Sequence, residues 1–193
     1  MKRTILSICA LAIASIAIAQ DSGNNMWIGG AAGIATTKND NHDKTTSGVF
    51  GPSFGYMVNE NMAAGITLRY SSDKTEEGGT KDKTTMTLFE LAPFFRYYKS
   101  LGDNCSLYGR IEIAYGFGKD KFEPSNQNSS EQKYTSISSG IAPGIQYWFH
   151  DNWSVNAEWG VLGFSSRTDK GQNGADDYKS SSFTAGLDLT ALT

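Results

Sequence analysis

Strict two-residue alternation constrains this chain more than any other feature. Across residues 84–98, Phe89, Leu91, Pro93, Phe95 and Tyr97 fall on one parity, with Glu90 and Arg96 on the other. Across residues 62–72, Met62, Ala64, Ile66, Leu68 and Tyr70 alternate with Ala63, Gly65, Thr67 and Arg69. Successive side chains of an extended backbone point to opposite faces, so each stretch reads as a strand with one apolar and one polar face. No segment carries the i, i+3, i+4 spacing of an amphipathic helix. The chain is therefore expected to be all-β.

The alternation is punctuated by a repeat. Pro52-Ser53-Phe54-Gly55-Tyr56, Pro93-Phe94-Phe95-Arg96-Tyr97 and Pro143-Gly144-Ile145-Gln146-Tyr147 share the pattern Pro-x-apolar-x-Tyr, at spacings of 41 and 50 residues. Each runs into an acidic-Asn pair, at Glu60-Asn61, Asp103-Asn104 and Asp151-Asn152, and each pair opens a new alternating stretch at Met62, Cys105 and Trp153. Strand end, tight turn and strand start recurring in this way imply a repeated hairpin. Proline gives no N–H to a ladder, so each of the three prolines is expected to mark a bulge or a ladder gap.

The pattern predicts eight strands, over about residues 26–37, 47–58, 62–72, 84–98, 105–118, 133–149, 153–165 and 179–193. Connections alternate between four long polar loops and the three short turns. Strands this long exceed the usual five or six residues of soluble sheets and suit the roughly 9–11 residues that cross a bilayer at a tilt.

Ahead of the strands lies a leader. Lys2 and Arg3 form a positive n-region, residues 5–18 are apolar, and Ala17-Ile18-Ala19 is a small-x-small cleavage site. The expected organisation is a cleaved signal peptide over 1–19 and one domain over 20–193. Cleavage leaves 15 basic against 20 acidic residues, which argues against nucleic acid as a partner. Only Cys105 then remains, so no internal disulfide is expected. A mean hydropathy of −0.38 would suit a soluble protein, but a membrane barrel escapes that test because only alternate residues face lipid.

Two kinds of eight-stranded barrel compete. A soluble, lipocalin-like barrel buries its apolar face; a membrane barrel turns that face outward. The polar face here is rich in Gly, Ser, Thr and Ala rather than Lys, Glu and Asp. Aromatics gather near the strand ends, and Trp27, Tyr56, Tyr70, Tyr97, Tyr115, Tyr147 and Trp153 are expected to form the interfacial girdles. The membrane reading is favoured: an eight-stranded antiparallel up-and-down transmembrane β-barrel. Its interior is expected to hold an ion-pair network of Arg69, Glu90, Arg96, Arg110, Glu112, Glu158 and Asp188, because lone buried charges are costly.

On the hairpins Pro52 to Asn61, Pro93 to Asn104 and Pro143 to Asn152, the mature chain resembles the small outer-membrane β-barrel proteins of Gram-negative bacteria. These are of the OmpX, OmpW and OmpA-barrel kind, the outer membrane protein beta-barrel domain group. The resemblance implies an outer-membrane location with both termini periplasmic. It also implies contact with outer-membrane lipid and lipopolysaccharide, and insertion by the barrel-assembly machinery. Family members usually end in an aromatic residue, whereas this chain ends Leu189-Thr190-Ala191-Leu192-Thr193. Either a truncation shortly before the natural end or an unusual insertion signal is expected.

Candidate chemistry is sparse, and no catalytic, cofactor or metal residues are assigned. His150, Asp151 and Ser154 could make a hydrolytic trio near a short turn, but a solvated turn histidine is the commoner explanation. Asp169, Asn173, Asp176 and Asp177 lack EF-hand spacing. The expected role is structural or surface interaction by a monomer, meaning adhesion or membrane integrity, through polar loops that meet a surface ligand not specified by the sequence. The alternatives are a narrow pore for small solutes or ions and, below it, a lipid hydrolase.

Overall fold

The computed structural model describes residues 17–19, 25–38, 43–80, 82–125, 128–151, 153–171 and 176–188. These form ten strands: β1 (Ala17–Ala19), β2 (Met26–Lys38), β3 (Lys44–Asn59), β4 (Met62–Glu76), β5 (Lys83–Ser100), β6 (Cys105–Glu123), β7 (Ser130–His150), β8 (Trp153–Glu158), β9 (Gly160–Asp169) and β10 (Tyr178–Asp188). There is no helix among the described residues. All pairings are antiparallel, and β2 to β7 follow one another as an up-and-down meander.

The expectation of eight strands in a closed barrel is corrected in two places. The stretch read as the seventh strand breaks at Trp159 into β8 and β9, giving nine strands from Met26 onward. The cause lies opposite: Pro143 on β7 has no N–H, and its carbonyl accepts from Trp159 N at 3.1 Å. The three residues 159–161 there face only Ala142 and Pro143, between the pairs Gly144↔Glu158 and Ile141↔Leu162. The second correction concerns closure. β10 pairs with β9 alone, so the sheet is not closed along its length. Only at the short-turn end is there a circuit, where β1 lies between β2 (Ala19↔Trp27) and β8 (Ala17↔Ser154).

All three repeat prolines sit at ladder gaps, and always on the same side. Pro52 pairs with Gly30 on β2, but the β3–β4 register skips from Phe50↔Tyr70 to Ser53↔Thr67. Pro93 pairs with Ile66 on β4, while β5–β6 skips from Leu91↔Tyr115 to Phe94↔Glu112. Pro143 pairs with Gly109 on β6 and faces the β8–β9 break on its other side. Each gap therefore opens toward the strand that follows in the chain.

Much of what reads as long polar loop is strand. β4 continues to Glu76, β6 to Glu123, and β7 already begins at Ser130. Threonines hold these extensions: Thr36 faces Thr46 with hydroxyls 3.4 Å apart, and Thr45 faces Thr75 at 3.3 Å. β-branched residues in cross-strand pairs favour extended backbone, and that outweighs the polarity that suggested loops.

The apolar face points outward. Ile111, Ile113 and Phe117 are 54%, 59% and 55% exposed, whereas Glu90, Arg96 and Arg110 on the other parity are 8%, 5% and 7% exposed. A soluble lipocalin-like barrel requires the reverse. The interior is enclosed by curvature: Arg96 on β5 lies 5.3 Å from the Trp27 ring on β2 and 3.4 Å from Glu158 on β8.

Candidate functional site

Interior room is set by pairing aromatics with glycines. Trp27 lies opposite Gly55, Phe94 opposite Gly65, Tyr108 opposite Gly144 and Tyr134 opposite Gly118, each as direct cross-strand partners. A Cβ on any of these glycines would lie within 2.4 Å of the partner ring. The rings therefore lie over bare backbone and fill the interior sideways, which leaves the charged side chains between them.

Those charges form one unbranched chain of alternating sign, Glu90–Arg69–Glu112–Arg110–Glu158–Arg96. Arg69 donates to Glu90 at 3.0 Å and to Glu112 at 2.9 Å. Arg110 donates to Glu112 and, at 3.3 Å, to Glu158; Arg96 reaches Glu158 at 3.4 Å. Three arginines against three glutamates leave no net charge among these six side chains. Hydrogen bonds bind the chain to its walls. Tyr108 OH donates to Glu158 Oε2 at 3.0 Å, Arg110 Nη2 donates to Thr67 Oγ1 at 3.2 Å, and Thr67 meets Ser53 at 2.8 Å.

Arg96 and Arg110 also lie on aromatic faces. The Arg96 guanidinium carbon is 4.7 Å from the Tyr108 ring centre and 5.2 Å from that of Phe94, and Arg110 is 4.5 Å from Phe94. Their Nε atoms have no hydrogen-bond partner among the described residues, and the rings supply the electrostatic contact in its place.

Six of the seven residues expected in the network are thus brought together. The seventh, Asp188, pairs with Gly160 through its backbone, and its side chain lies outside the described residues. Among the expected girdle residues, Tyr56, Tyr70, Tyr97, Tyr115 and Tyr147 are outward and exposed, and Trp153 shares the outward parity of exposed Val155. Trp27 is a correction. It faces inward, 5.8 Å from the Phe94 ring, because Gly55 opposite leaves it space.

A second interior cluster escapes sequence reading. Arg167 on β9 donates to Asp169 at 2.6 and 2.8 Å and to Asp120 on β6, and it stacks 3.6 Å from the Tyr134 ring centre. Sequence places Arg167 and Asp169 in a loop and Asp120 in another; only the strand extensions bring them together. At the opposite, short-turn end, a cavity of about 280 Å³ is lined by Trp27, Arg96, Tyr98, Gln146, Trp148 and Asn156, among others.

The remaining candidates do not assemble a reactive site. Ser154 is fully buried and its Oγ accepts from Gln146 Nε2 at 2.8 Å, while His150 is exposed at the turn. Asp169 is engaged by Arg167, Asp177 by Lys170 at 2.8 Å, and Asn173 lies outside the described residues. No group of three or more metal-ligating side chains occurs among the described residues.

A family model described as "Outer membrane protein beta-barrel domain" matches residues 5–190. No curated protein and no solved structure matches the chain.

Proposed function

Because the chain belongs to the outer membrane protein beta-barrel domain family, we propose that it is a non-conducting barrel with a structural or surface-interaction role, in membrane integrity or adhesion. The observation that carries this reading is the six-member ion-pair chain. Each of these six charges has a protein partner and the aromatic rings fill the space between, so no continuous water path is needed to solvate them. The working surface is the extended strands at the long-loop end. β6 has 19 residues. At a strand's rise such a length spans roughly 60 Å, well beyond the roughly 25 Å of apolar band even when tilted. In this reading the loop end lies outside the cell, Met26 and Asp188 lie on the periplasmic side, and residues 1–19 are removed on export, which takes β1 and the circuit it makes between β2 and β8 with them. The assembly machinery inserts the chain as a monomer, and no catalytic step is assigned.

A narrow pore has one feature in its favour, the cavity at the short-turn end that leads inward to Arg96. Planar-bilayer recording separates the two. The plugged reading expects no steady conductance from the parent protein and intermittent leak from Glu158→Ala. Steady conductance from the parent would reverse the choice.

A further inference from the structure

The six-member ion-pair chain has two ends. Arg69, Glu112, Arg110 and Glu158 each have two partners of opposite charge within it, whereas Glu90 and Arg96 each have one. The chain is neutral in sum but polar in direction, and Arg96 is its positive end. Arg96 is buried, and its two hydrogen bonds, to Glu158 at 3.4 Å and to Tyr98 OH at 3.5 Å, are both long. Its Nε has no partner among the described residues, and a guanidinium carries five N–H donors. Glu158 is meanwhile shared with Arg110 and with Tyr108 OH. The rings of Trp27, Phe94 and Tyr108 face the Arg96 charge, but they leave donors in the guanidinium plane unanswered.

This positive end lines the cavity of about 280 Å³ at the short-turn end. Trp27 on β2, Tyr98 on β5 and Trp148 on β7 line it too, so three aromatic side chains surround one under-bonded cation. We infer that the cavity binds a small carboxylate with a flat apolar body, of the size of phenylacetate. The carboxylate takes the free donors of Arg96, and the body lies against Trp27, Tyr98 and Trp148. The planar fork of an arginine suits a carboxylate. One cation balances one charge, and Glu60 on the same lining disfavours a doubly charged phosphate. An uncharged aromatic would leave the guanidinium donors unmet. The volume is near the lower bound of roughly 300 Å³ for small-molecule sites, which limits the ligand to one ring. The inference goes beyond the plugged reading and is independent of it, because the ligand sits at the mouth whether or not the lumen conducts.

The test uses the mature chain, residues 20–193, folded in nonionic detergent, with folding checked by heat-modifiable gel mobility. Trp27 and Trp148 report binding through tryptophan fluorescence, and saturation-transfer NMR observes the ligand directly. Phenylacetate is expected to bind saturably. Phenylacetamide, which lacks the charge, and acetate, which lacks the ring, should each bind about tenfold or more weakly, the scale of one charge-assisted contact or one buried ring. Arg96→Gln should lose phenylacetate binding, and Lys133→Gln at the other end should keep it. If Arg96→Gln misfolds, Trp148→Ala, outside the ion-pair chain, should weaken binding severalfold in the NMR measurement. Absence of binding to the parent, phenylacetamide bound as tightly as phenylacetate, or unchanged binding in the folded variants overturns the inference. Displacement of phenylacetate by an equal concentration of inorganic phosphate makes the cavity a general anion site and also overturns it.

Discussion

Arg96 and Arg110 face each other directly across the β5–β6 ladder, and one carboxylate, Glu158 from β8, accepts from both. Glu112 also pairs with Arg110, but Glu158 is the carboxylate the two arginines share, so the trio works as a latch between β8 and the β5–β6 hairpin. Glu158→Gln is expected to destabilise the barrel by about 3–5 kcal/mol, the cost of leaving buried charge without its partner. Pairing it with Arg96→Met should recover part of that loss. Urea unfolding in lipid vesicles, read as a two-by-two cycle, measures both. A Glu158→Gln midpoint equal to the parent's would sink the latch.

The aromatic–glycine pairs make a sharper steric prediction. A Cβ at Gly144 would lie 2.3 Å from the Tyr108 ring, and Tyr108 is the residue that donates to Glu158. Gly144→Ala should therefore cost about 1–3 kcal/mol through displaced packing and a weakened hydrogen bond. At Gly109 a Cβ meets nothing within 4 Å, so Gly109→Ala should be neutral or slightly stabilising. The same unfolding assay compares them, and equal effects at the two sites would refute the packing argument.

Arg167 offers a contrast between an enclosed and an open ion pair. It is stacked on Tyr134 and shared by Asp120 and Asp169, whereas Lys121–Glu123 is fully solvated on the outer face. Arg167→Ala should cost about 1–3 kcal/mol, because two carboxylates then face each other without a cation. Lys121→Ala should leave the unfolding midpoint where it is, because an exposed ion pair is screened by solvent. Amide exchange along β9 should rise in the first variant and stay unchanged in the second.

The β9–β10 connection should respond to acid. Lys170 Nζ, and after it the Gly171 N–H, hold the Asp177 carboxyl below the usual carboxylate range. A depressed pKa means the contact is complete above the ordinary carboxylate value and is lost as pH falls through the lower, folded value. The Gly171 amide resonance should follow that single titration in NMR, and Asp177→Asn should abolish it. A Gly171 resonance insensitive to acid would exclude the contact.

How far the fold was legible depended on which interactions are local. Alternation along β5 and β6 identifies the outward face from the chain alone, since parity is a property of one strand. Trp27 shows where that reasoning ends. Its large apolar ring suggests an outward position, yet its place is decided by Gly55 on the neighbouring strand, and cross-strand register is not visible in either sequence segment. Arg167 shows the same for polar stretches. Its Ser- and Thr-rich surroundings resemble a loop, and only pairing with β7 and β10 makes them strand. The break at Trp159 was foreshadowed by Pro143, but proline predicts a missing donor and not which neighbour absorbs it.

The one-sided placement of the proline gaps divides the molecule into modules. Hairpins β2–β3, β4–β5 and β6–β7 are each zipped without interruption past their proline, and the interruptions fall at β3–β4, β5–β6 and β7–β8/β9. The joints closed by short turns are thus the permissive ones, able to absorb a change in stagger that the zipped pairs would refuse. A chain built in this way can grow, lose or exchange a whole hairpin without rewriting its neighbours. The threefold motif then marks the seam between repeated hairpin units, with the ladder gap always on the same side of the proline.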